Sequence, residues 1–143
     1  MITMQLSEAA NAIDGELIGS DRGFEGVSTD TRSLTPNQLF FALKGPLFDA
    51  HDKLGEAANA GAAGAVVEHA DNIDLSLIRT IDCRRGLGRL ARNWRSRFEI
   101  PVLAVTGSSG KTTVKEMLAA ILQVQGEVLA TQGNLNNDIG LPL

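Results

Sequence analysis

Residues Thr106 to Thr113 read Thr-Gly-Ser-Ser-Gly-Lys-Thr-Thr, a set suited to holding a chain of phosphates. Glycines let several backbone N–H groups turn toward one point, and a helix beginning behind them adds its positive end. Lys111 supplies a mobile cation, and Thr112 a hydroxyl able to reach a phosphate-bound Mg2+ ion. Gly107, Ser108, Ser109, Gly110, Lys111, Thr112 and Thr113 are therefore the candidate ATP-binding residues. Lys111 is the candidate catalytic group, and Thr112 the candidate metal ligand. The general phosphate-loop pattern asks for a glycine about five residues before the Gly-Lys pair. Val105 stands there, and Gly107 follows two positions later, which gives a tighter loop still able to wrap a triphosphate.

Such a loop needs a strand before it and a helix after it. Ile100 to Val105 is short, apolar and rich in β-branched residues, which predicts a buried parallel strand. Val114, Met117, Leu118, Ile121 and Leu122 recur at helical spacing. An ordinary strand-to-helix turn with a surface lysine is the competing reading, and the flanking pattern favours the phosphate cradle.

Two further clusters have side chains suited to ligand contact. Ser28-Thr29-Asp30-Thr31-Arg32 follows a predicted strand and combines hydroxyls, a carboxylate and a guanidinium. It could read a sugar, a uracil edge or a diphosphate, or it could be a polar turn in which Asp30 bonds its own backbone. Taken alone, the turn is the stronger reading. Next to it, an apolar strand runs into a loop bearing Lys44, Asp49 and His51. His51 is open between a ligand contact and a capping or packing role. His69 reads as a surface residue, with no partner in view.

Gly133 to Pro142 holds Asn134, Asn136, Asn137 and Asp138. An asparagine-rich turn is the plain alternative, but a position after the second strand of a nucleotide sheet favours substrate contact.

The rest of the sequence limits the classes. A hydrophobic fraction of 43% and a charged fraction of 21% describe a folded globular chain. The net charge of −4 comes with no basic stripe interleaved with aromatics, which argues against nucleic acid. Arg84, Arg85, Arg89, Arg92, Arg95 and Arg97 lie on a helix whose apolar stripe is Leu87, Leu90, Ala91, Trp94 and Phe98, so they read as a solvated face. The lone Cys83 excludes an internal disulfide and reads as a buried spectator in a reducing compartment. With no signal peptide or spanning stretch, a cytoplasmic location away from membranes is expected.

Along the chain, the pattern predicts a helix over Glu8 to Asp14 capped by Ser7, then strands at Glu16 to Ile18, Val27 to Thr29 and Leu39 to Leu43. A helix over His51 to Ala60 follows, then strands at Ala65 to Glu68 and Ser76 to Ile81, a helix from Cys83 to Phe98, and a last strand at Glu127 to Thr131. The fold class is α/β: a small N-terminal unit over residues 1–81, then the first βαβ part of a phosphate-loop parallel sheet over 82–143. No acidic residue after Lys111 ends an apolar strand, where magnesium chemistry needs one. The second unit is therefore expected to be the start of a larger domain, truncated here, and inactive alone.

The loop Thr106 to Thr113 resembles that of the Mur ligases, which also lacks the first glycine. Asp30-Thr31-Arg32, Leu39 to Gly45, Phe48 to Asp52, Val114 to Met117 and Gly133 to Pro142 resemble one branch of that family. The resemblance implies a cytoplasmic ligase of peptidoglycan precursor synthesis with an N-terminal UDP-substrate domain, a central ATPase domain and a C-terminal domain, monomeric at full length. It implies ATP and Mg2+ as cofactors, UDP-N-acetylmuramoyl-tripeptide as bound substrate, and D-alanyl-D-alanine as a second substrate whose site lies outside this chain. It implies that Lys111 stabilises the transferred phosphoryl group and that Thr112 ligates magnesium. It further implies that Ser28 to Arg32, Lys44 and Asp49 lie near the UDP-muramoyl moiety, and that Asn134, Asn136, Asn137 and Asp138 border the peptide channel. A sibling ligase adding a free amino acid, a non-catalytic UDP-sugar-binding module and a phosphate-loop kinase or NTPase are the alternatives.

Overall fold

The computed structural model describes residues 2–69, 73–131 and 137–143. Its elements run β1 (Thr3–Gln5), α1 (Leu6–Ala12), β2 (Glu16–Ile18), β3 (Gly23–Glu25), β4 (Val27–Ser28) and β5 (Leu39–Phe41). A 3₁₀ turn (Ala50–Lys53), α2 (Leu54–Asn59), β6 (Gly64–Val67), β7 (Leu77–Arg79), α3 (Cys83–Arg95) and α4 (Lys111–Gln123) follow.

Five strands form one sheet in the order β2-β7-β6-β5-β4. β4 to β7 are parallel, and β2 closes one edge antiparallel to β7, with Glu16 opposite Arg79. The central strands β5 and β6 are buried at every residue, as a parallel sheet covered on both faces requires. Side chains alternate between two cores with the period of a strand. Leu39, Phe41, Val66 and Ile78 join Leu6, Ala9 and Ile13 of α1 and Cys83, Leu87 and Leu90 of α3 on one face. Phe40, Ala65, Val67 and Leu77 join Leu54 and Ala57 of α2 on the other. α3, placed by its sequence position in the second unit, thus buries its apolar stripe in the first unit's core. Arg89 of α3 pairs with Asp14 just after α1, and Arg97 just after α3 pairs with Glu8 of α1, so these arginines face solvent but are partly engaged.

Some elements differ from expectation. β1 and β3 form a separate antiparallel pair, with Met4 opposite Phe24, that the alternation of such short segments does not reveal. Ser7 does not cap α1: β1 runs straight into the helix, the cap position falls on Gln5, and Asp21 instead accepts from the Ser7 N–H (3.0 Å) and hydroxyl (2.6 Å). Those bonds hold the Asp21 carboxyl below its ordinary value, with the Ser7 hydroxyl the larger cause. Ile100 to Val105 and Glu127 to Thr131 run without ladder pairing among the described residues. A strand exists only through bonds to a neighbour, and no described strand stands beside either segment. For the same reason α4 has no sheet beneath it, and Val114, Met117 and Ile121 are exposed.

Candidate functional site

The phosphate-loop segment adopts the turn that its glycines permit. Gly107 and Gly110 have φ of +151° and +76°, values an L side chain resists. Gly110 occupies the N-cap of α4 in the left-handed region, with no side chain capping the helix. The first α4 bond available comes from Val114 N–H to Gly110 O at 3.0 Å. The N–H groups of Lys111, Thr112 and Thr113 are therefore outside the helix ladder, an anion-binding end by construction. The Lys111 ammonium folds back over the loop and donates to Gly107 O at 2.8 Å. Thr112 and Thr113 are exposed on the first turn.

No cluster of three or more His, Cys, Asp or Glu able to hold a metal occurs among the described residues. One exposed threonine hydroxyl cannot build a cation site, but it suits a Mg2+ ion that takes its other ligands from phosphates and water. The residues fit a metal that arrives with the nucleotide.

The second group of residues gathers at the C-terminal edge of the parallel strands, where ligands bind in open α/β sheets. β4 and β5 are parallel neighbours, with Ser28 opposite Phe40, so the loops that follow them leave the sheet side by side. In the first loop the polar-turn reading is realised. The buried Ser28 hydroxyl donates to Asp30 O (3.0 Å) and accepts from Asp30 N–H (3.2 Å), and Asp30 Oδ1 accepts from Arg32 N–H (3.0 Å). Arg32 also grips the Asp30 carboxylate with Nε and Nη2. Those side-chain bonds, then the Arg32 N–H, hold the Asp30 carboxyl at about 2. The Thr31 hydroxyl donates to Glu56 at 3.0 Å, and Thr29 is half-buried. The turn leaves the Arg32 guanidinium 87% exposed, and it is this group the turn presents outward.

In the second loop, Lys44 and Asp49 face each other across a tight reversal, with Nζ 3.7 Å from Oδ2. His51 is 4% exposed and organises the loop. Its Nδ1 lies 2.6 Å from Asp49 Oδ1, and its Nε2 accepts the Glu68 N–H at 2.9 Å. Because Nε2 must accept, the proton sits on Nδ1 and is donated to Asp49. Bonds from His51, backbone first, hold the Asp49 carboxyl below its ordinary value. His51 is packed in the core of this turn, and the cap is Asp49, whose side chain accepts the His51 N–H. The reach across to Glu68 is a long-range contact with no signature in local spacing. His69 is exposed, as expected, and stacks on His51 with ring centroids 4.1 Å apart. Glu68 carries the network to α3 by accepting the Cys83 N–H at 3.1 Å. Cys83 is fully buried, and burial, then Glu68, Asp82 and Asp49, push its thiol up to about 12.

In the asparagine segment, Asn134 and Asn136 lie outside the described residues. Asn137 Oδ1 accepts from Gly140 N–H at 2.7 Å, a local turn, and Asp138 pairs with Arg84 of α3 at 3.3 Å. Lys115, beyond the loop, donates to Thr131 O and pairs with Glu116, tying α4 to the segment before the asparagines.

The geometry agrees with known proteins along the whole chain. The Mur ligase middle domain family matches residues 105–143. The UDP-N-acetylmuramoyl-tripeptide–D-alanyl-D-alanine ligase of Escherichia coli (strain K12) is 49% identical over all of this chain and 32% of its own length. A MurF crystal structure from Acinetobacter baumannii superposes with a TM-score of 0.93 at 34% identity, covering 99% of this chain and 32% of that one. MurF ligase from Thermotoga maritima, in complex with ADP, gives a TM-score of 0.75 at 35% identity over 82% of this chain and 28% of that one. The chain spans about a third of the length of the curated relatives it matches. A phosphate loop capped by Gly110, an α/β unit before it and these end-to-end matches make the chain similar to Mur ligases over the region that precedes and opens their middle domain.

Proposed function

We propose that these residues serve an ATP-dependent ligase that joins D-alanyl-D-alanine to UDP-N-acetylmuramoyl-tripeptide in the cytoplasmic synthesis of peptidoglycan precursor. The observation that carries this reading is the 49% identity to the Escherichia coli ligase across both the first unit and the loop. A phosphate loop alone would suit any nucleotide enzyme. A shared first unit is what narrows the substrate.

On this reading residues 1–81 hold the UDP-muramoyl-peptide, with Ser28, Thr29, Asp30, Thr31, Arg32, Lys44 and Asp49 at the edge of β4 and β5. Residues 82–143 open the ATP-binding unit, with α3 packing it back onto the first. Asn134, Asn136, Asn137 and Asp138 border the peptide. Gly107 to Thr113 cradle the phosphates of ATP through unpaired N–H groups. Lys111 exchanges the Gly107 carbonyl for a phosphate oxygen and offsets the charge that grows there during transfer. A Mg2+ ion held by the phosphates would neutralise further charge, with Thr112 as one of its ligands. The γ-phosphoryl group passes to the tripeptide carboxylate, ADP leaves, and the dipeptide amine then displaces phosphate to form the amide. The working enzyme acts as a monomer.

The native polypeptide, supplied with UDP-N-acetylmuramoyl-tripeptide and ATP, should release phosphate with D-alanyl-D-alanine and not with free amino acids. Preference for a free amino acid would assign it to a sibling ligase. Nucleotide turnover that ignores the UDP-peptide would remove it from ligase chemistry.

A further inference from the structure

Three of the five phenylalanines are buried and Phe98, 42% exposed, packs edge-on against Trp94, while Phe48 is 63% exposed in the loop that follows β5. It is not a loosely held side chain. The ring lies on Gly45: a Cβ there would stand 2.5 Å from Phe48 Cε1 and 3.0 Å from Cδ1. Glycine at 45 is what allows an aromatic ring to rest on the backbone of its own turn. The reversal is closed by Gly45 N–H to Phe48 O at 2.9 Å and by Lys44 opposite Asp49. Asp49 is in turn pinned by the buried His51. The sequence therefore keeps a large apolar ring in water on a fixed support, inside the reversal closed by Lys44 and Asp49, in the loop that leaves the sheet beside the one carrying the outward Arg32.

We propose that Phe48 is a stacking platform for the uracil ring of the UDP-linked substrate, and so a residue that determines specificity for an aromatic base. The inference rests on the reading above that the β4–β5 edge takes a UDP-linked ligand. A flat π face gains from offset stacking on an aromatic ring, while cations on the same edge attract the diphosphate. Stacking by a residue held in place costs little ordering on binding, because the support already fixes it.

The test uses the full chain and two probes in calorimetry, UDP and 5,6-dihydro-UDP. The second keeps the hydrogen-bonding groups of uracil but is puckered and not aromatic. The native chain should bind UDP roughly 10-fold more tightly than the dihydro form, the scale of one base–aromatic stack. Phe48→Ala should weaken UDP binding by about as much and erase the preference, whereas Phe48→Trp should keep it. Gly45→Ala retains Phe48 but displaces its ring, and should reduce the preference. Phe48 is exposed, so circular dichroism of each variant should match the native fold. A native chain that binds both probes equally, or a Phe48→Ala chain that keeps the preference, overturns the platform and leaves the substrate reading standing. A native chain that binds neither probe overturns the substrate reading, and the platform with it.

Discussion

His51 meets Asp49 twice at one oxygen: its backbone N–H reaches Asp49 Oδ1 at 3.0 Å and its ring Nδ1 at 2.6 Å. Both contacts saturate Oδ1 and leave Oδ2 turned toward Lys44. The same ring accepts the Glu68 N–H, so one buried imidazole fixes the end of β6 and the loop after β5 together.

Replacing that ring should therefore cost stability. His51→Ala leaves the Glu68 N–H without its acceptor and opens space in a buried position, for a loss of about 2–3 kcal/mol. Urea denaturation of the two proteins measures it. A loss within about 0.5 kcal/mol, the range of surface substitutions, would mean that the network is slack.

Lys111→Ala should abolish most ligation by the native polypeptide while leaving the first unit folded, since among the described residues the Lys111 ammonium bonds the loop carbonyl of Gly107 and no residue of the first unit. Loss of one preorganised charge stabiliser lowers turnover on the order of 10² to 10³-fold. Near-native turnover in the variant would take Lys111 out of the reaction.

The acid limb of stability should respond to Asp30. Arg32 lowers its carboxyl from 3.8 to about 2 in the folded chain. A depressed folded value means that the contribution is complete above the unfolded value and fades as pH falls from about 4 to about 2. Asp30→Asn should lose less stability than the native chain across that interval. Parallel curves in urea titrations would show that the exposed pair contributes nothing.

Cys83 should be inert in the folded protein. Burial and three nearby carboxylates hold the thiol up at about 12, so almost no thiolate forms near neutrality. Iodoacetamide at about pH 8 should label it only after unfolding. Prompt stoichiometric labelling of the native chain would contradict the packing of α3 against β6.

The sequence patterns reached far in the first unit because its strands are buried on both faces. Leu39 to Phe41 and Gly64 to Val67 stand out as apolar runs, and Asp82 before Cys83 marks the start of α3 by accepting the Arg85 N–H at 2.9 Å. Short paired segments were less legible. Thr3–Gln5 and Gly23–Glu25 are strands only because each finds the other, a fact that three residues cannot advertise. Ser7 misleads for a similar reason, since the group it serves, Asp21, lies fourteen residues away. At the site, glycine spacing located the loop because left-handed backbone demands it. The roles of Asp30 and His51 depended on partners brought in by the fold. Ile100 to Val105 shows the converse, strand-like residues with no strand beside them among the described residues.

The pairing of β2 with β7 has a consequence for how the chain is made. Glu16 and Arg79 are 63 positions apart, yet the strand bearing Arg79 sits inside the sheet, between β2 and β6. On the ribosome, β4, β5 and β6 can assemble in order as they emerge, whereas β2 must wait with its edge bare until β7 arrives to join both sides. A nascent chain halted before Leu77 would leave both edges that β7 joins, on β2 and on β6, unpaired at once. Over that stretch of synthesis the edges that β7 will cover are open to wrong pairing.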